Sequence, residues 1–166
     1  MDAIAAVLQF SGVSFRWPGA ARDVLQVPAL SVAAGERLLL QGPSGSGKST
    51  LLSLAAGVLL PQAGTVTVLG HDWRAMPAGR RDRRRADHIG YIFQQFNLLP
   101  YLSVLDNVIL PCRFSALRTA RSGEGGPATA AQRLEQPLGL PQETWHRPAS
   151  TPVSYTHLTL PTTERV

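Results

Sequence analysis

Cysteine, lysine, charge and long apolar runs are all scarce in this chain of 166 residues. Each scarcity excludes something. A single cysteine, Cys112, rules out an internal disulfide framework and fits a reducing compartment. No stretch approaches the ~20 uninterrupted apolar residues of a membrane span. The start, MDAIAAVLQF, carries an early Asp2 and no basic segment ahead of its apolar residues, so it does not read as a secretory signal. Charged residues make up 16%, against roughly 25% in a typical soluble domain. The hydrophobic share of 44% and a mean hydropathy of +0.00 are those of a globular chain and exclude full disorder. The length suits one domain.

Net charge is +5 with a pI near 10.3, a balance that invites a nucleic-acid or anionic-membrane reading. Of the 16 basic residues, Lys48 is the only lysine and the rest are arginines. Such a skew reads as codon bias, and it makes the position of the lone lysine informative. The run Arg80-Arg81-Asp82-Arg83-Arg84-Arg85 has no interleaved aromatic residue and reads as a solvated helix face, so no nucleic-acid partner is expected. His71, His88 and His146 lack metal-ligand spacing and read as surface or packing residues. Cys112 reads as an apolar helix residue.

Residues 4–17 are strand-like, with Gly12 as a break. Val24 to Val32 is a second β-prone stretch, and Arg37 to Gln41 reads as a short buried strand. Ser49 to Gly57 is helical in composition, Thr65 to Leu69 alternates as a strand, and Met76 to Asp87 is a polar helix. Ile89 to Phe93 reads as another apolar strand. Ser103 caps a helix running to about Leu110, with Asp106 completing a partial capping box. RSGEGGP, residues 121–127, is a joint, and Ala128 to Leu138 a further helix. From Pro148 onward the pattern dissolves.

Gly42-Pro43-Ser44-Gly45-Ser46-Gly47-Lys48-Ser49-Thr50 fits G-x-x-x-x-G-K-[ST], between an expected strand and an expected helix, the context this motif requires. Glycines allow backbone conformations denied to other residues and a close approach to a ligand. Successive N–H groups then form an anion nest, and the helix N-terminus adds donors and partial positive charge. Lys48 is expected to reach the β- and γ-phosphates, Ser49 to ligate Mg²⁺, and Thr50 to add a hydroxyl near the α-phosphate. ATP and Mg²⁺ are the expected cofactors. The loop alone does not separate transport ATPases from kinases and GTPases. The guanine-reading N-K-x-D is ruled out because Lys48 has no sibling. A small-molecule kinase using residues 80–85 as a lid, and a basic nucleic-acid-binding module, stay as alternatives.

GPSGSGKSTLL followed by IGYIFQQFNLLPYLSVLDNV resembles the ATP-binding cassette (ABC) transporter nucleotide-binding subunit, from about Val7 to about Thr151. FQQFNLLP is most similar to the lipoprotein-release and macrolide-export type. The resemblance implies an α/β P-loop NTPase fold, here its N-terminal portion, with a mixed sheet, an antiparallel β-subdomain and an incomplete core. It places Gln94 at the Q-loop, its amide oxygen completing the Mg²⁺ shell, and Trp17 where the family sets an aromatic on adenine. Phe15 is read as a core residue. It implies a transmembrane permease subunit and a second cassette as partners. It also implies a cytoplasmic location, peripheral to the inner face of the plasma membrane, with ATP hydrolysis coupled to export or release.

The resemblance stops short of the whole family pattern. No LSGGQ-like signature follows Leu140 to Pro148, and no Walker B run, catalytic Glu or switch His is found. The expectation is a C-terminally truncated cassette over residues 1–152, unable to hydrolyse ATP alone, with Leu38-Leu39-Leu40 lacking a strand partner. VSYTHLTLPT, opening residues 153–166, resembles sequencing-adaptor read-through and is set aside from the fold.

Overall fold

A computed structural model describes residues 6–93, 97–135 and 141–149. The chain divides into two compact units, Met1–Tyr91 and Ile92–Val166.

The first unit is built on a four-stranded sheet in the order β2-β1-β3-β4, with β1 at Ala6–Phe15, β2 at Leu25–Ala33, β3 at Ala63–Val68 and β4 at His71–Asp72. Every pairing is antiparallel: Phe10 stands opposite Leu30 on one side and Val66 on the other. In β3 the alternation Thr65-Val66-Thr67-Val68 buries both valines because successive strand side chains face opposite sides. In β1 that alternation changes phase: Phe10 is buried, then Val13 and Phe15. The register against β3 slips between Ser11 and Ser14, and Gly12 takes φ +57, so an extra residue re-aims the strand. Gly64 lies against this bulge; a Cβ there would stand 2.3 Å from the Gly12 carbonyl oxygen. Leu69 and Gly70, both at positive φ, join β3 to β4 in the manner of a two-residue hairpin loop.

Helix α1, Lys48–Ala55, packs with this sheet. Leu54 is fully buried in a core with Phe10, Val13, Phe15, Val66, Val68 and Trp73. Trp73 was not anticipated as a core residue, yet no part of it is exposed and its indole Nε1 donates to the Ala55 carbonyl at 3.0 Å. Helix α2, Ala78–His88, follows Pro77 and buries none of its residues completely. The expected solvated face at 80–85 needs one amendment. Arg84 Nη2 donates to the Leu69 carbonyl at 3.1 Å, and Arg85 Nη1 to the Gly57 carbonyl at 3.2 Å.

Two expected strands do not form. Residues 37–41 and 89–93 belong to no strand of the sheet among the described residues. Leu39 is 76% exposed and Ile92 96%. An apolar run of this kind becomes a strand only when a neighbour accepts its N–H and C=O groups. The antiparallel part of the expected mixed sheet is therefore the part observed.

The second unit is helical, with α3 at Val104–Arg113, α4 at Ala116–Arg121, α5 at Gly126–Glu135 and α6 at Gln142–Trp145. Ser103 caps α3 as expected, its Oγ accepting from the Asp106 N–H at 3.0 Å and donating to Asp106 Oδ2 at 2.7 Å. The Asn107 side chain ties down the preceding loop, accepting from the Leu99 N–H at 2.8 Å and donating to the Leu99 carbonyl at 3.0 Å. Helix α4 went unread in the sequence; Ser115, buried, caps it by accepting from the Arg118 N–H at 3.0 Å.

Candidate nucleotide-binding site

The phosphate-type loop occupies residues 42–47 and opens directly into α1. Gly45 takes φ +78 and Gly47 φ +88, conformations that cost a non-glycine residue about 1–2 kcal/mol each. Space also selects glycine here. A Cβ on Gly42 would stand 2.9 Å from Ser46 Oγ, and one on Gly47 3.1 Å from the Val24 carbonyl oxygen. Ser46 N–H donates to the Pro43 carbonyl at 3.3 Å, closing the loop on itself.

Gly47 serves as the N-cap of α1 without a side-chain cap bond, and no acidic residue sits in the first turn. The Leu51 N–H donates to the Gly47 carbonyl at 2.8 Å. The helix N–H groups ahead of Leu51 have no intrahelical acceptor and carry the positive end of the helix dipole. Lys48 curls over this opening. Its Nζ donates to the Gly42 and Pro43 carbonyls, both at 2.7 Å, with Ser46 Oγ at 3.3 Å. A glycine cradle, uncapped helix donors and a single ammonium form a donor set suited to a polyphosphate.

Ser44 and Ser49 are exposed, whereas Thr50 is buried on the core side of α1. Ser49 is a hydroxyl of the kind that suits a hard cation. Gln94, expected to share the Mg²⁺ shell, lies outside the described residues.

Trp17 follows the end of β1 and is 45% exposed. Its ring meets the buried Phe15 edge-on, centroids 5.0 Å apart. The Val24 N–H donates to the Phe15 carbonyl at 2.9 Å, and Val24 is the residue against Gly47. The strand ends that carry Trp17 thus abut the phosphate loop. Trp17 lines a cleft of about 390 Å³ together with Arg16, Pro18, Asp23 and Gln62. The last two went unread in the sequence, since a lone Asp and a lone Gln carry no local signal. Asp23 is held below the usual carboxylate range, first by the Gln26 side-chain hydrogen bond and then by that of Arg16.

A glycine-cradled loop at the head of a helix beside an antiparallel sheet defines a P-loop nucleotide-binding protein. Residues 25–157 match the ABC transporter family, and the chain belongs to that family. It is 34% identical over 145 residues to the macrolide export ATP-binding/permease protein MacB of Burkholderia pseudomallei, covering 86% of this chain and 21% of MacB. It is 40% identical over 127 residues to YbbA of Escherichia coli, an ABC transporter ATP-binding protein, covering 76% of this chain and 54% of YbbA. Among solved structures, the ATP-binding cassette MJ0796, a dimer bound to ADP and Pi, superposes with a TM-score of 0.71 at 30% identity. That likeness covers 85% of this chain and 61% of MJ0796. The fold is therefore that of an ABC ATPase cassette in part. The chain spans about a fifth of the length of MacB and just over half of YbbA. Among the described residues no helix is long and apolar enough to cross a membrane.

Proposed function

We propose that this chain holds ATP with Mg²⁺ as the nucleotide-binding portion of an ABC transporter cassette. The observation that carries the reading is Lys48 Nζ, set 2.7 Å from the Gly42 and Pro43 carbonyls at the uncapped head of α1. An ammonium already facing the loop needs only to turn its donors to the β- and γ-phosphates. The backbone N–H groups of residues 45–50 bind the same oxygens. Ser49 and Gln94 would hold the cation, which when bound neutralises charge on the terminal phosphates. Trp17 stacks on the base.

In the whole protein, two such cassettes close on ATP and reopen on hydrolysis. That cycle drives a transmembrane permease subunit in export or release across the membrane, with the cassette cytoplasmic and peripheral to the inner face. MJ0796 was solved as a dimer, and MacB joins ATP-binding and permease functions in one protein, which supports this reading. Residues 1–152 are proposed as the cassette portion, with 153–166 read as a tail outside it. Because the family match runs to residue 157, resequencing the gene past the codon for Thr151 tests that boundary.

Titration of the full chain with a fluorescent ATP analogue plus Mg²⁺ tests the reading. The parent chain binds and Lys48→Ala binds much more weakly; equal binding by the two overturns it.

A further inference from the structure

Trp17 does not hang free at its strand end. Its own turn is closed by the Ala20 N–H donating to the Trp17 carbonyl at 3.0 Å. Pro18 presets the first central position of that turn, and Gly19, at φ +80, takes the left-handed second one. At the base of the turn Arg16 Nε donates to Asp23 Oδ1 at 2.8 Å, with Nη2 also 2.8 Å from the same oxygen. Gln26 Nε2 donates to the other carboxylate oxygen at 3.1 Å. From β3's side Gln62 grips the Arg16 backbone twice: the Arg16 N–H donates to Gln62 Oε1 at 2.8 Å, and Gln62 Nε2 donates to the Arg16 carbonyl at 2.6 Å. Both backbone polar groups of Arg16, the residue ahead of Trp17, are thus held by one side chain.

We propose that Asp23, acting through Arg16 and aided by Gln62, is a positioning residue that presets the Trp17 ring for a purine base. The inference rests on the ATP reading above and deepens it. A stacking ring contributes most when its orientation is not bought at the moment of binding. The clamp supplies that orientation, and the cleft of about 390 Å³ beside the ring is of a size for one small ligand group. The clamp's hydrogen bonds run among residues 16, 23, 26 and 62 and not to the phosphate-loop residues 42–47, so affinity for the base depends on it and affinity for phosphates does not.

Calorimetry on the full chain separates the two. The probes are ATP and inorganic tripolyphosphate, each with magnesium. Asp23→Ala is expected to weaken ATP binding about tenfold, the worth of one base–aromatic stack, while leaving tripolyphosphate binding unchanged. Asp23→Glu, which keeps the carboxylate, recovers most of the loss. The change in Trp17 emission on adding ATP shrinks in Asp23→Ala, with Trp17→Phe marking the contribution of that ring. Arg16→Gln, at a half-exposed position, must show the same split, which keeps the test decisive if Asp23→Ala folds poorly. Equal losses for both ligands, or none for either, overturn the proposal while Lys48→Ala still weakens both. A parent chain that binds neither ligand overturns the ATP reading and this inference with it.

Discussion

The two ends of α1 are built on opposite plans. At its N-terminus Gly47 offers no side-chain cap, no carboxylate sits in the first turn, and the loop ahead of it is exposed apart from Gly47 itself. At its C-terminus the last turn and the residues just beyond it are tied down from outside the helix. Trp73 Nε1 donates to Ala55 at 3.0 Å and Arg85 Nη1 to Gly57 at 3.2 Å, while the Val58 N–H turns back to Ser53 at 2.9 Å. Leu54 and Trp73, both fully buried, lie at this second end. Unsatisfied helix donors cost stability, and a short helix is marginal by itself. Tertiary contacts at the far end offset that cost, so the near end can stay open for an anion.

The comparison breaks most severely at Trp73. Trp73→Ala removes the largest fully buried side chain and the donor to Ala55. The expected loss is about 3–5 kcal/mol of unfolding free energy, read as a lower urea midpoint. Next comes Gly57→Ala. Its Cβ would stand 2.8 Å from Trp73 Cδ2 at φ +69, so strain and overlap together cost about 2–4 kcal/mol in the same denaturation curve. A melt unchanged by either substitution would show that the closed end does not hold the helix.

Lys48→Ala acts at the other end and sharpens the contrast. It removes the charged donors over the loop, and ATP affinity falls about ten- to hundredfold, equivalent to about 1.5–3 kcal/mol. The urea midpoint hardly moves, because Lys48 satisfies only exposed loop carbonyls. Stability and affinity therefore separate along one eight-residue helix: the closed end carries the first and the open end the second.

The open end was the legible one. Gly42 to Thr50 is contiguous, and its motif states its own geometry; β3 and the Ser103 cap were legible for the same reason, since their signals lie within a few residues. The closed end was not. Trp73 meets Ala55 across 18 residues and Arg85 meets Gly57 across 28, and nothing local in either side chain names its partner. Likewise Arg37 to Gln41 has the composition of a strand, but a strand is defined by its neighbour, and none pairs with it among the described residues. The bulge that switches β1 from Phe10 to Val13 falls at Gly12, where the sequence reads a break, and the alternation resumes beyond it because one inserted residue inverts every later face. The clamp on Trp17 joins residues 16, 23, 26 and 62, and the last is brought in only by the pairing of β1 with β3.

The smallest effect is in pH, and it lies at the Trp17 turn, where Arg16 and Gln26 hold Asp23. The Asp23 carboxyl is held below its ordinary value of 3.8 by Gln26 and Arg16. A depressed carboxyl contributes stability fully above the ordinary value, and that contribution disappears as pH falls through the folded-state value. From pH 7 to pH 5 the clamp is accordingly constant. Below about 3.8 the folded form resists protonation longer than the unfolded one, and the contribution drains away as pH falls further. Asp23→Asn cannot titrate, so its melting temperature should fall less steeply than that of the parent between pH 4 and pH 2, while the two run parallel from pH 5 to pH 7. Parallel curves across the acid range would mean that the carboxylate lends the Trp17 turn nothing. The closed end of α1, whose contacts to Ala55 and Gly57 come from an indole and a guanidinium, gives Asp23→Asn no reason to alter the acid response there.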